Sequence, residues 1–237
     1  MVASIPLQWL DPGDPAAPFP PVEQALREPD GLLAFGGDLS PQRLLHAYRR
    51  GIFPWYGEGQ PILWWSPDPR SVLYPPRLRI SRSLARTIRR GIYGVTCDRA
   101  FGQVITACAA PRRDGLGTWL GPDMIDGYRR LYEMGHAHSV ESWFEGELVG
   151  GLYGLALGRI FFGESMFSRR SDASKAAFVE LVKRLRQWDY VLIDCQVASD
   201  HLDSLGAEPI TRRRFVATLD QHCDAPTRWE AWGTGHE

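Results

Sequence analysis

From about residue 70 onward, the spacing of apolar positions switches repeatedly between the helical and the extended period. Residues 81–90, 98–109 and 122–134 carry apolar side chains at helical spacing, whereas 138–143 and 147–157 read as strands. Gly158-Arg159 then joins Leu157 to Ile160, a two-residue Gly-X turn of the kind that matches strand twist, and 160–167 returns as a strand. A helix follows, with Ser171 or Asp172 as the expected cap and Ala177, Leu181, Val182, Leu185 and Trp188 on its apolar side. Residues 191–197 form another strand, and 212–219 a last helix. This order predicts an α/β or α+β domain built on a mixed sheet.

Residues 1–68 have a different texture. Pro20-Pro21, Pro29-Asp30-Gly31, Gly36-Gly37-Asp38 and Pro67-Asp68-Pro69 are turn signals, with Trp and Phe among them. One helix is expected here: Ser40 caps it, Pro41 takes its first position and Gly51 stops it. The 237 residues suit a large domain with a smaller partner, and the pattern divides them at 1–68 and 69–237.

Net charge is −1, so the chain as a whole is not a polybasic nucleic-acid binder and any such surface must be local. Cys97, Cys108, Cys195 and Cys223 lack metal-ligand spacing, and the plain expectation is reduced thiols. The N-terminus lacks a basic start with a long apolar run, and no apolar stretch approaches ~20 residues. A cytoplasmic protein that does not enter a membrane is expected.

Four features carry candidate chemistry. Between Asp68 and Asp98 there are seven arginines and no acid. Within the predicted helix, Arg82, Arg86, Arg89 and Arg90 fall inside roughly 100° of arc, with Leu84 and Ile88 opposite. Surface helices usually interleave acids for pairing, so this stripe favours phosphate binding over a merely solvated face. The strand VLIDCQV places Asp194 and Gln196 on one face of an apolar run, where burial demands partners. In the hairpin, Gly150, Gly151 and Gly154 mark close approach of a ligand or of backbone, and Phe161 and Phe162 lead to Glu164. These carboxylates and the amide either hold core hydrogen bonds or close the mouth of an apolar pocket. Trp55 and Trp119 lie among turn residues, either as lids on the core or as platforms for a nucleobase. His136 and His138 lack a third ligand and Asp38 reads as a turn residue. Arg112–Gly117 spells R-x-x-G-x-G after a helix rather than a strand, the wrong context for cradling phosphate.

In order along the chain, the strings GLLAFGGDLSPQRLLHAYRRGIFPWY, PILWWSPDPRSVL, GTWLGPDMIDGYRRLYEMGHAHSVE, FFGESMFSR and LIDCQVASDHLDSLGAEPI resemble the leucyl/phenylalanyl-tRNA–protein transferase family. The resemblance spans about Phe19 to Phe215. It implies an α+β fold: a small N-terminal domain and an acetyltransferase-like domain with a mixed sheet flanked by helices. It also implies transfer of Leu or Phe, and possible use of Met, from charged tRNA to the α-amine of proteins beginning with Lys or Arg, which marks them for degradation.

By motif match, Asp194 and Gln196 become the catalytic pair, with Asp194 polarising Gln196 or relaying a proton, and Glu164 lines the reaction centre. Trp55 and Trp119 would stack on the terminal adenosine. Leu152, Phe161, Ile193 and Leu181 would wall the side-chain pocket, and Arg82, Arg86, Arg89 and Arg90 would grip the acceptor stem. Leu181, Ser199 and Ala85 depart from the family pattern. A monomer without metal or cofactor is expected. A coenzyme A-dependent N-acetyltransferase and a non-catalytic tRNA-binding protein are the competing readings. The first is disfavoured by SRRSDASKAA, which has no glycine where a pyrophosphate cradle would need it.

Overall fold

A computed structural model describes residues 7–110, 120–226 and 232. Trp119 and the 112–117 string lie outside the described residues. Among the described residues the first 65 positions supply β1 (Gln8–Leu10), β2 (Leu32–Gly36), α1 (Pro41–Arg49), β3 (Phe53–Pro54) and β4 (Leu63–Trp65). The strands form one sheet in the order β1-β2-β4-β3. Helix α1 starts and stops where the sequence predicts. The Ser40 hydroxyl accepts the Arg43 N–H, and Gly51 follows the helix at φ +72, a conformation that favours glycine.

The second sheet is larger. It takes β5 (Arg70–Leu73), β6 (Gly94–Cys97), β7 (Ala137–Phe144), β8 (Glu147–Leu157), β9 (Ile160–Ser168), β10 (Leu192–Gln196) and β11 (Glu208–Ile210) in the order β11-β5-β10-β9-β8-β7-β6. β7, β8 and β9 form an antiparallel meander, and β10 lies parallel to β9. The helices are α2 (Arg82–Arg89), α3 (Phe101–Cys108), α4 (Pro122–Glu133), α5 (Ala173–Gln187), α6 (Asp200–Ser204) and α7 (Arg212–His222). The chain is therefore α+β, a mixed sheet flanked by helices, as expected.

Alternation along the strands divides the apolar residues into two clusters. Tyr153, Leu155, Phe162 and Leu192 join α1, α3, α4 and the first sheet in one core. Leu152, Ala156, Phe161 and Ile193 face the other way, under α5, whose Ala177, Leu181, Val182 and Leu185 are all buried. Since Leu10, Leu44 and Trp64 share a core with Val72 and Leu157, the smaller sheet packs on the larger one.

The hairpin glycines admit the close approach of neighbouring protein atoms. A Cβ on Gly150 would sit 2.6 Å from that of Ala173, and one on Gly154 would sit 2.1 Å from the Phe162 carbonyl and 2.7 Å from the Phe161 ring. The side-chain cap expected at the start of α5 is absent. Asp172 occupies that position at φ +62 but makes no capping bond, and it meets Thr87 and Lys175 instead.

Candidate active site

β9 and β10 pair through three rungs, Leu192 with Ile160, Ile193 with Phe161 and Asp194 with Phe162, and then part. Two irregularities open the gap. The β8–β9 register shifts between Tyr153 and Gly154, so that Glu164 is left between the partners Gly163 and Ser165. The β10–β5 register shifts between Asp194 and Gln196, and Gln196 adopts φ +55. The two side chains meet across the opening, where Gln196 Nε2 donates to Glu164 Oε1 at 3.2 Å.

The other carboxylate oxygen is held from beneath. Tyr128 donates its hydroxyl to Glu164 Oε2 at 2.6 Å, and Tyr48 lies 2.6 Å from Tyr128 oxygen to oxygen. The Tyr48 hydroxyl also bonds the Glu164 carboxyl, and either phenol can be the donor in the contact between the two. Burial pushes the Glu164 carboxyl up to about 7, against the lowering effect of the Tyr128 and Tyr48 hydrogen bonds; Asp194 adds to the rise and Arg70 opposes it. Burial, reinforced by the Glu164 charge, lifts both phenols well above their usual 10, so they remain donors near neutrality.

Asp194 is fully buried, and its partner is a residue that sequence reading passed over. Arg70 on β5 grips it with Nε to Oδ1 at 2.8 Å and Nη2 to Oδ2 at 2.7 Å. The guanidinium lies 4.7 Å from the Phe53 ring centroid and 4.6 Å from that of Phe215, and it donates to the Gly51 carbonyl. The Gln196 backbone N–H also donates to Asp194 Oδ1, at 3.0 Å. Asp194 therefore bonds the main chain of Gln196, and the side-chain contact of the Gln196 amide is with Glu164. The Asp194–Gln196 contact thus runs through the Gln196 main chain and not through its side-chain amide. The cause is Arg70, which turns the carboxylate toward β5. Removing one member of such a pair costs about 3–5 kcal/mol.

Leu152, Phe161, Leu181 and Ile193 come together in the cluster under α5, each buried. The Ile193–Phe161 rung is the one directly before the last rung at the opening. Cys195 packs in the same cluster, and burial raises its thiol far above the usual range. On α2, Arg82, Arg86, Arg89 and Arg90 are exposed while Leu84 is buried, as the helical spacing predicts. Trp55 is exposed, and its ring meets Trp65 edge-on at 5.7 Å. A cavity of about 350 Å³ between Asp38, Ile62, Asp123, Asp126 and Arg130 contains neither Glu164 nor Gln196. His138 hydrogen-bonds Asp98, and Asp38 accepts the Ser40 N–H as a turn residue. Among the described residues no group of three or more His, Cys, Asp or Glu could hold a metal ion, and no helix is long and apolar enough to cross a membrane.

Similarity to known proteins follows the same outline. The protein from Stutzerimonas stutzeri (strain A1501) is 60% identical over 227 residues, covering 95% of this chain and all of the relative. That from Aromatoleum aromaticum is 63% identical over 214 residues, covering 89% and 90%. Both are named leucyl/phenylalanyl-tRNA–protein transferase. Among solved structures, a GCN5-related N-acetyltransferase from Kribbella flavida aligns at 11% identity and TM-score 0.36, over 68% of this chain and 57% of the other. That overlap is too loose to carry an argument. The family profile for leucyl/phenylalanyl-tRNA protein transferase matches residues 72–220, and the profile for its N-terminal domain matches 37–68. By profile and by identity over nearly its whole length, the chain belongs to the leucyl/phenylalanyl-tRNA–protein transferase family of aminoacyltransferases.

Proposed function

We propose that the chain moves Leu or Phe, with Met as a further donor side chain, from aminoacyl-tRNA to the α-amine of proteins beginning with Lys or Arg, marking them for degradation in the cytoplasm. The observation that carries the chemistry is the Glu164–Gln196 pair at the parting of β9 and β10, with a carboxyl raised to about 7. An α-amine titrates near ~7.7–8.0, so an acid at that level is matched to exchange a proton with it.

The amine nitrogen attacks the ester carbonyl carbon, forming the C–N bond of a tetrahedral intermediate. Glu164 accepts the proton that the nitrogen sheds. As the C–O bond to the ribose breaks, the same carboxyl returns the proton to the departing oxygen. Gln196 spends its Nε2 on Glu164, which leaves Oε1 free to accept an N–H from the incoming amine and orient its lone pair. Holding the two ends in near-attack geometry supplies several kcal/mol more.

No covalent enzyme intermediate enters this route. The thiol closest in sequence, Cys195, is buried and protonated. Asp194 acts as a positioning residue: through Arg70 and the Gln196 N–H it fixes the φ +55 conformation that aims the amide. Leu152, Phe161, Leu181 and Ile193 take the donor side chain and reject charged ones, since an unpaired buried charge is costly. Trp55 and Trp119 stack on the terminal adenosine, and the α2 arginines hold the acceptor stem. Residues 1–68 form the small domain and 69–237 the catalytic one, in a monomer.

Labelled leucine offered to an Arg-ended peptide, with and without charged tRNA, tests the reading. Transfer that requires the tRNA supports it. Acetyl transfer from coenzyme A without tRNA, or tRNA binding with no transfer, contradicts it.

A further inference from the structure

The turn between β9 and α5 takes no part in the chemistry above, and it is built with some care. Ser168 Oγ donates to the Arg170 carbonyl at 2.7 Å and accepts the Ser174 N–H at 3.2 Å, so the turn is fixed from within. Ser168, Arg169, Arg170 and Ser171 are exposed. The Arg170 guanidinium lies 3.7 Å from the Phe144 ring centroid. The Arg169 guanidinium lies 5.5 Å from that of Phe167, with Nη1 donating to the Leu148 carbonyl at 3.2 Å. Both cations are held in place while they face solvent.

One contact ties this turn to the arginine helix and a second ties it to the segment that follows the helix. Thr87 Oγ1 donates to Asp172 Oδ2 at 3.4 Å, and Tyr93 donates its hydroxyl to the Ser171 carbonyl at 2.6 Å. Arg86 and Arg90 flank Thr87 as its preceding and i+3 neighbours on the helix, so the stripe runs alongside the turn. Asp172, the acid of the turn, is bonded to Thr87 and lies 3.9 Å from Lys175, which offsets its charge. Along β9, Ser168 stands four residues beyond Glu164, on the order of 13 Å at strand rise.

We propose that Arg169 and Arg170 continue the α2 stripe into a two-element phosphate-binding surface, which holds the RNA backbone of the donor's acceptor arm on the side nearest the reaction centre. This rests on the reading that charged tRNA is the donor and that α2 grips its stem. Guanidinium planes are suited to bidentate phosphate contact, and planes already immobilised on aromatic rings lose little freedom on binding. The distance from Glu164 keeps the cations off the ester itself and on the phosphates behind it.

The test uses two donors with the same ester: Leu-tRNA, and leucyl-adenosine, which has no stem. The full-length double variant Arg169→Gln/Arg170→Gln is compared with Arg82→Gln/Arg86→Gln. For the turn variant, the KM for Leu-tRNA should rise about tenfold near 0.15 M salt, and the slope of log KM against log salt should fall by ~1–2. Its kcat and KM with leucyl-adenosine should match wild type, which also shows that it folds. An unchanged KM for Leu-tRNA, an equal loss with leucyl-adenosine, or a rise confined to the KM for acceptor peptide overturns the inference. If the α2 variant responds and the turn variant does not, the stem-binding reading stands without the turn. If the turn variant alone responds, the turn binds RNA and α2 does not.

Discussion

Replacing Glu164 with glutamine separates the cost of the carboxyl to folding from its contribution to activity. Burial raises its folded-state value from the usual 4.5 to about 7. The folded protein therefore binds more protons than the unfolded chain between those limits. The stability attached to this group is fully present below about 4.5, declines as pH rises, and is gone above about 7. A rise of that size corresponds to ~3 kcal/mol. Glutamine has no charge to bury, but it weakens the acceptor site for Tyr128, which costs about 1 kcal/mol. Glu164→Gln should thus be more stable than wild type by ~2 kcal/mol at pH 8 and slightly less stable at pH 4.5.

Urea unfolding followed by tryptophan fluorescence at several pH values reads this directly. Glu141, another carboxyl raised by burial, contributes equally to both proteins and cancels in the difference. The same variant should lose transfer activity by about two orders of magnitude, as expected for a proton-handling group. Parallel stability curves for the two proteins, or a glutamine variant with wild-type turnover, would refute the reasoning.

Other substitutions probe the surroundings. Tyr128→Phe removes a hydrogen bond that lowers the Glu164 value, so the acid limb of the kcat/KM profile should move to higher pH; an unmoved limb denies Glu164 the base role. Asp194→Asn leaves the Arg70 charge half-answered and should cost about 3–5 kcal/mol in urea unfolding, whereas a loss below ~1 kcal/mol would show that the pair is not the anchor described. Leu181→Phe narrows the proposed side-chain pocket and should lower the kcat/KM ratio of Phe-tRNA to Leu-tRNA several-fold; an unchanged ratio places the pocket elsewhere.

Much of the catalytic sheet is legible in the chain because its signals are local. The β8–β9 hairpin is bounded by Gly158 at φ +55, α1 by its Ser40 cap and Gly51 stop, and the exposed face of α2 by helical spacing alone. The acid–amide couple is visible too, as polar residues within apolar strands. What escaped is what only tertiary contact creates. β5 is four residues between turn signals, so nothing local marks Arg70 as the partner of a carboxylate 124 positions away. Tyr48 and Tyr128 read as ordinary apolar positions on amphipathic helices, and their hydroxyls acquire a role only when two helices close on Glu164. Alternation would place Asp194 and Gln196 side by side, but the register shift at Gln196 turns its side chain toward Glu164 instead.

The proposed chemistry needs Gln196 and Glu164 to act together on the amine at the parting of two strands. Single-turnover transfer of labelled leucine from saturating Leu-tRNA to an Arg-ended peptide by Gln196→Ala, run beside a direct measurement of tRNA affinity, tests it with the fewest assumptions. The expected rate is lower by about two orders of magnitude, equivalent to ~3 kcal/mol of transition-state stabilisation, with tRNA affinity within twofold of wild type. Wild-type transfer by this variant, or a loss explained wholly by weaker tRNA binding, would contradict the proposed chemistry.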